Sequence, residues 1–190
     1  MSEAAPALGA AAGAARSNRT EGHARLGMAV FLGTWVMLFA ALFLAYAVVR
    51  AQAPAWPPPS LPRLPRAWPG VATLILLASS FVLRARAGNA AARALAAALL
   101  GLFFVAVQAT VWRSALAVGL TPGTGTYASV FFALTVFHAL HVACGLVLLF
   151  VAALRARASG KGRNALWLAA LFWDFVTVVW VIIYATVFWL

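Results

Sequence analysis

Acidic side chains are nearly missing from this chain: its 190 residues hold three, Glu3, Glu21 and Asp174. Only Asp174 falls outside the N-terminal segment, so paired carboxylates for acid–base work are excluded. Cysteine is equally scarce. The single Cys144 rules out a disulfide framework and a thiolate metal cluster, and reads as a small packing residue. There is no GxGxxG, no phosphate-cradling loop and no nucleophile motif for a Ser-His-Asp hydrolase. With 65% hydrophobic and 9% charged residues, a water-soluble globule is excluded as well.

What the chain has instead is five long apolar stretches, Gly27 to Val49, Ala67 to Leu83, Leu95 to Trp112, Tyr127 to Leu154 and Ala165 to Leu190. Crossing the roughly 30 Å hydrocarbon core takes about 20 residues of helix. Backbone polar groups inside lipid must be bonded within the segment, which favours helices. The pattern predicts an all-α integral membrane bundle of five transmembrane helices over 25–190, preceded by a loose cytoplasmic tail over 1–24. The tail lacks a long apolar core, and the first span is too long for a secretory signal.

The net charge of +11 suggests a polyanion partner until its placement is considered. Ten of the 14 basic residues fall in three alternate segments: Arg16, Arg19 and Arg25; Arg84, Arg86 and Arg93; Arg155, Arg157, Lys161 and Arg163. The other side holds Arg50, Arg63, Arg66 and Arg113. The positive-inside rule then puts the N-terminus in the cytoplasm and the C-terminus outside. The basic excess is topology and anionic-lipid contact, with no nucleic acid implied.

The joints differ in kind. Ala51 to Pro69 contains seven of the nine prolines and reads as an extended outer strap, with Trp56 and Trp68 at headgroup level. Arg84 to Arg93, with Gly88 and Asn89, is a short turn making the second and third spans antiparallel neighbours. Arg113 to Thr126 is a glycine-containing flexible outer loop, and Ser159 to Asn164 a second inner turn. Ala97 with Gly101 and Ala139 with Ala143 form small-xxx-small pairs suited to close helix contact.

Polar residues within the spans are few: Gln108, the pair His138 and His141 on one helical face, Asp174, and Thr177 one turn beyond it. Two histidines could share a metal, but a third and fourth ligand are lacking. Hydrogen bonding between helices is the plainer role for them. An isolated carboxylate in hydrocarbon needs a partner, and His138 or His141 is the partner expected for Asp174.

Five segments, in order from about Arg25 onward, resemble subunit III of the haem–copper oxidases. They are Arg25-Leu-Gly-Met-Ala-Val-Phe-Leu running into Val36-Met-Leu-Phe-Ala-Ala-Leu-Phe; Trp56-Pro-Pro-Pro with Thr73-Leu-Ile-Leu-Leu-Ala-Ser-Ser; Gln108 followed by Trp112; Thr126-Tyr-Ala-Ser-Val-Phe-Phe-Ala-Leu-Thr-Val-Phe-His-Ala-Leu-His-Val; and Phe172-Trp-Asp-Phe-Val-Thr-Val-Val-Trp. The five-span length resembles the short bacterial form. The resemblance implies a non-catalytic accessory subunit of a respiratory terminal oxidase in the bacterial inner membrane. Such a subunit packs on subunit I, alongside other oxidase subunits and phospholipids, while haem and copper reside in partner subunits and no cofactor in this chain.

Departures from the family pattern concern carboxylates. Where the family usually carries a Ser-Glu-Val type sequence, this chain reads Thr34-Trp35-Val36, and Val111 stands where a glutamate often precedes the closing tryptophan of the third helix. Asp174 takes the place of a histidine and Thr177 that of an aspartate. The apolar framework is intact, while a proton-collecting role is put in doubt. Two alternatives stay open: a nitric-oxide-reductase-associated or oxidase-assembly protein of the same superfamily, and an independent membrane enzyme or transporter. The latter fits poorly with so few intramembrane charges.

Overall fold

The computed structural model describes residues 4–56, 58, 67–85, 88–159 and 163–189, and among these all the regular secondary structure is helical. The helices are α1 (Ala4–Gln52), α2 (Ala67–Arg84), α3 (Ala90–Ala117), α4 (Thr126–Ser159) and α5 (Arg163–Ile183), the last continuing as a π-helical turn, Tyr184–Trp189. Five of the described segments are long and apolar enough to cross a membrane: Gly22–Gln52, Ala67–Arg84, Ala90–Ala117, Thr126–Ala158 and Asn164–Trp189. This is a multi-pass membrane protein, with spans where the apolar stretches predict them.

The chain divides into two compact units, Met1–Leu38 and Phe39–Leu190. In the first, the backbone is helical from Ala4, where composition suggested a loose tail. The segment is dominated by alanine, the residue most favourable to helix, and joins the apolar span without interruption. Within it Thr34 bonds back to the carbonyl of Phe31 at 2.7 Å, and the Phe31 and Trp35 rings meet edge to face.

In the second unit α2, α3, α4 and α5 form a closed ring, each packing on the next and α5 returning to α2. The rest of α1 joins through Phe39, whose ring meets His141 of α4 and Phe175 of α5. The helix boundaries follow local chemistry. Pro69 stands in the first turn of α2, where its missing N–H is no loss, so the helix begins inside the proline-rich stretch. The remainder of the predicted strap, 57 and 59–66, lies outside the described residues, as do 160–162 of the second inner turn. Gly88 takes a positive φ of 85° and Asn89 caps α3, its side-chain oxygen accepting from the Ala91 N–H.

At its other end α3 runs five residues past Trp112 and closes in a Schellman motif. Gly119, at φ 81°, donates to Leu116, while buried Leu120 donates to Ala115. The remaining loop is bonded internally: the Thr124 hydroxyl meets Thr121 and Gly119, and Ser129 reaches the Pro122 carbonyl at 2.6 Å.

Lipid tails are as apolar as the helices, so close packing and polar contacts must hold the ring together. Ala91, Ala94, Ala97 and Gly101 form the buried stripe of α3. The second expected small pair is not inside: Ala139 is half-buried and Ala143 exposed. The close approach on α4 is made by Gly145, two residues on and therefore on another face. Cys144, expected to be buried, is exposed next to it.

Candidate functional site

The polar side chains of the ring are concentrated along two seams. Between α2 and α5 four cross-helix contacts follow one another. The Trp180 indole N–H donates to Thr73 Oγ1 at 2.9 Å, and that of Trp173 to Ser79 Oγ at 2.8 Å. Ser80 Oγ and Thr177 Oγ1 are 2.8 Å apart, and Arg84 forms a salt bridge with Asp174. The start of α2, at Thr73, meets α5 at Trp180, and the later part, from Ser79 to Arg84, meets α5 further back, between 173 and 177, as antiparallel neighbours must.

The hydroxyls on this seam serve twice. Thr73 donates to the Pro69 carbonyl at 2.8 Å and Ser79 to the Leu76 carbonyl at 2.6 Å, while each accepts an indole N–H. A hydroxyl has one donor and two acceptor lone pairs, so one side chain satisfies its own helix and ties in the next. The same arrangement recurs between α3 and α4, where Trp112 donates to Thr135 at 3.1 Å and Thr135 donates to the Phe131 carbonyl at 2.8 Å.

Asp174 therefore pairs with Arg84 and not with the histidines, contrary to the sequence expectation. The reason is angular. Trp173 points into the ring between Gly101 and Gly145. The next residue, about 100° further round the helix, projects toward α2, whose last residue is Arg84. Arginine's long stem lets it reach a carboxylate from a helix end. Arg84 carried only a topological meaning in the sequence.

The predicted histidine face is real but its members diverge. His138 is 1% exposed, with its ring 5.1 Å from that of Trp180 and 5.9 Å from that of Phe104. His141 is also buried, faces Phe39, and has Nδ1 2.6 Å from the Phe137 carbonyl of its own helix. Gln108 is 2% exposed on α3. Thr177 is buried, bonding Ser80 and the Trp173 carbonyl. Among the described residues no three His, Cys, Asp or Glu side chains are grouped so as to hold a metal ion.

A third polar contact closes the far end of α5. The Tyr46 hydroxyl donates to the Thr186 carbonyl at 2.7 Å and accepts from Trp56 Nε1 at 3.2 Å. Carbonyls in the last turn of a helix have no partner within it, and Tyr46 supplies one from α1. Trp56 is thereby held against Tyr46 and Tyr127, while Trp68 stays exposed. Sequence reading missed Tyr46, Thr73, Ser79, Ser80 and Thr135. The signal available was spacing, since Thr73 and Ser79 stand nearly two turns apart, as do Trp173 and Trp180.

The chain is similar to known proteins throughout this framework. A family model described as cytochrome c oxidase subunit III matches residues 8–190. The cytochrome c oxidase subunit 3 of Synechocystis sp. is 37% identical over 177 residues, covering 85% of this chain and 73% of that protein. The probable cytochrome c oxidase subunit 3 of Mycobacterium bovis is 34% identical over 176 residues, covering 86% of each. A vertebrate relative, from Latimeria chalumnae, is 32% identical over 182 residues, covering 87% of this chain and 69% of its own. The match runs through all five apolar spans, and the chain is a member of the cytochrome c oxidase subunit III family.

Proposed function

We propose that this chain is the accessory subunit of a respiratory terminal oxidase, packing on and stabilising the catalytic subunit I, with haem and copper held by its partners. The observation that carries this is the use to which the interior polar groups are put. Trp112, Trp173, Trp180, Thr73, Ser79, Ser80, Thr135 and Thr177 are engaged in tying helices together. A rigid frame suits a subunit that supports a neighbour. The orientation that accompanies this reading, from the distribution of basic residues, is N-terminus in the cytoplasm and C-terminus outside.

Phospholipid is the second partner in this reading. A groove of about 560 Å³ is lined by Phe43, Tyr46, Ala47, Arg50, Ala51, Ile182 and Thr186. It offers apolar walls to an acyl chain and one guanidinium to a headgroup phosphate. Where the family often carries a glutamate this chain has Val111, and that departure leaves open, as a second reading, an association with a nitric oxide reductase.

Purification of the chain under mild detergent, with mass spectrometry of what accompanies it, tests the proposal. Subunits I and II of an oxidase are expected, and those of a nitric oxide reductase would support the second reading. A reduced-minus-oxidised spectrum of the isolated subunit should show no stoichiometric haem. Haem bands there would overturn the accessory role.

A further inference from the structure

We propose that Gln108 and His138 form a buried water-binding site between α3 and α4. Both side chains are almost wholly enclosed, 2% and 1% exposed. Among the described residues, neither Oε1 nor Nε2 of Gln108, and neither ring nitrogen of His138, has a hydrogen-bond partner. Polar atoms so enclosed are costly unless bonded, and buried water is their usual partner.

Register brings the two together. Phe104, one turn before Gln108, has its ring 5.9 Å from that of His138. Trp112, one turn after Gln108, donates to Thr135, three residues before His138. On antiparallel helices these two contacts bracket Gln108 at the level of residues 135–138. The surroundings hold little spare hydrogen-bonding capacity. Trp180 beside His138 gives its N–H to Thr73, and the Thr135 proton goes to the Phe131 carbonyl.

The chemistry of the four atoms selects the ligand. An amide offers donors and an acceptor, and a neutral imidazole one of each. A direct amide–imidazole bond would satisfy two of the four atoms and strand the others. A metal would find two ligands, with no group of three metal-binding side chains among the described residues. Water donates twice and accepts twice, so one molecule can bridge an amide atom and a ring nitrogen in either sense and hand on its remaining bonds to further water at the atoms that point away. This site goes beyond the accessory role and does not depend on it.

Water-edited solid-state NMR of the full chain in lipid bilayers, with ¹⁵N-labelled histidine, tests the site. The His138 signals, assigned through neighbouring residues, should receive magnetisation from a bound water in the native chain. That transfer should be lost in Gln108→Met, while the His141 signals, the check on folding, stay in place. No transfer to His138 in the native chain would overturn the proposal. So would a through-space correlation showing Gln108 bonded directly to the imidazole without water, or equal transfer in the native and Gln108→Met chains. Should Gln108→Met fail to fold, the native-chain measurement decides alone.

Discussion

A β-carbon at Gly101 would stand 2.5 Å from Cη2 of Trp173, closer than two carbons can come without one moving. Gly145 meets the other edge of the same indole, its hypothetical β-carbon 2.7 Å from Cε3. The bicyclic ring of α5 is thus received between α3 and α4 by two missing side chains, while its N–H is fixed on α2 by Ser79. One residue touches three helices.

Gly101→Ala and Gly145→Ala should each therefore lower stability, by about 1–3 kcal/mol, the usual range for added atoms in a packed interior. Gly119→Ala should destabilise for another reason, the positive φ of 81°, and leave the indole in place. Unfolding in bilayer mimics, followed by tryptophan fluorescence, separates the two. A red-shifted native spectrum is expected for the Gly101 and Gly145 variants alone.

The Trp–hydroxyl contacts predict measurable coupling. Ser79→Ala leaves the Trp173 N–H without its acceptor, and Thr73→Val does the same to Trp180. Interhelical hydrogen bonds in membranes average about 0.6 kcal/mol in double-mutant cycles, with about 1.7 as the upper end. Cycles pairing Ser79→Ala with Trp173→Phe, and Thr73→Val with Trp180→Phe, should fall in that range. Coupling near zero at both positions would remove these bonds from the account of the seam.

Helix positions were legible in the sequence because the bilayer imposes a length and an apolar composition that water-soluble helices do not share. The facing of residues was less so. Ala139 and Ala143 have the same spacing as Ala97 and Gly101, and nothing in composition says which pair meets a helix and which meets lipid. Gly145 shows its importance only once Trp173 is seen beside it. The partner of Asp174 was hidden similarly. Arg84 lies 90 residues away, and its contact depends on the rotation of α5 that Trp173 fixes. Gln108 and His138 could be named as buried polar residues, yet their bracketing by Phe104 and Trp112 needed the register of α3 against α4.

Topology gives an independent check on the orientation proposed. Alkaline phosphatase fused after Leu190 should be active and a cytoplasmic reporter there inactive, with the opposite result at the N-terminus. Fusions within the loop carrying Gly88 should behave as cytoplasmic, and those near Gly123 as external. Activity of the wrong sign at Gly88 would place Arg84, Arg86 and Arg93 outside and contradict the positive-inside assignment.

The Arg84–Asp174 bridge makes the most specific prediction about the missing acids. Its side chains are 58% and 25% exposed within the chain, an exposure that in a membrane faces lipid or headgroups. Exposed pairs contribute about 0–1 kcal/mol, whereas breaking a buried one costs about 3–5. This pair stands between those limits, so Asp174→Leu, which strands the guanidinium, should lose about 1–2 kcal/mol by those same comparisons. Asp174→Asn should lose less, because the amide oxygen still accepts from arginine. Arg84→Met should be comparable to Asp174→Leu, and the double variant Arg84→Met/Asp174→Leu should recover most of either loss, since an apolar pair replaces a broken ionic one. Unfolding of all four in lipid nanodiscs supplies the comparison. A double variant weaker than both singles would mean that each residue holds something other than its partner.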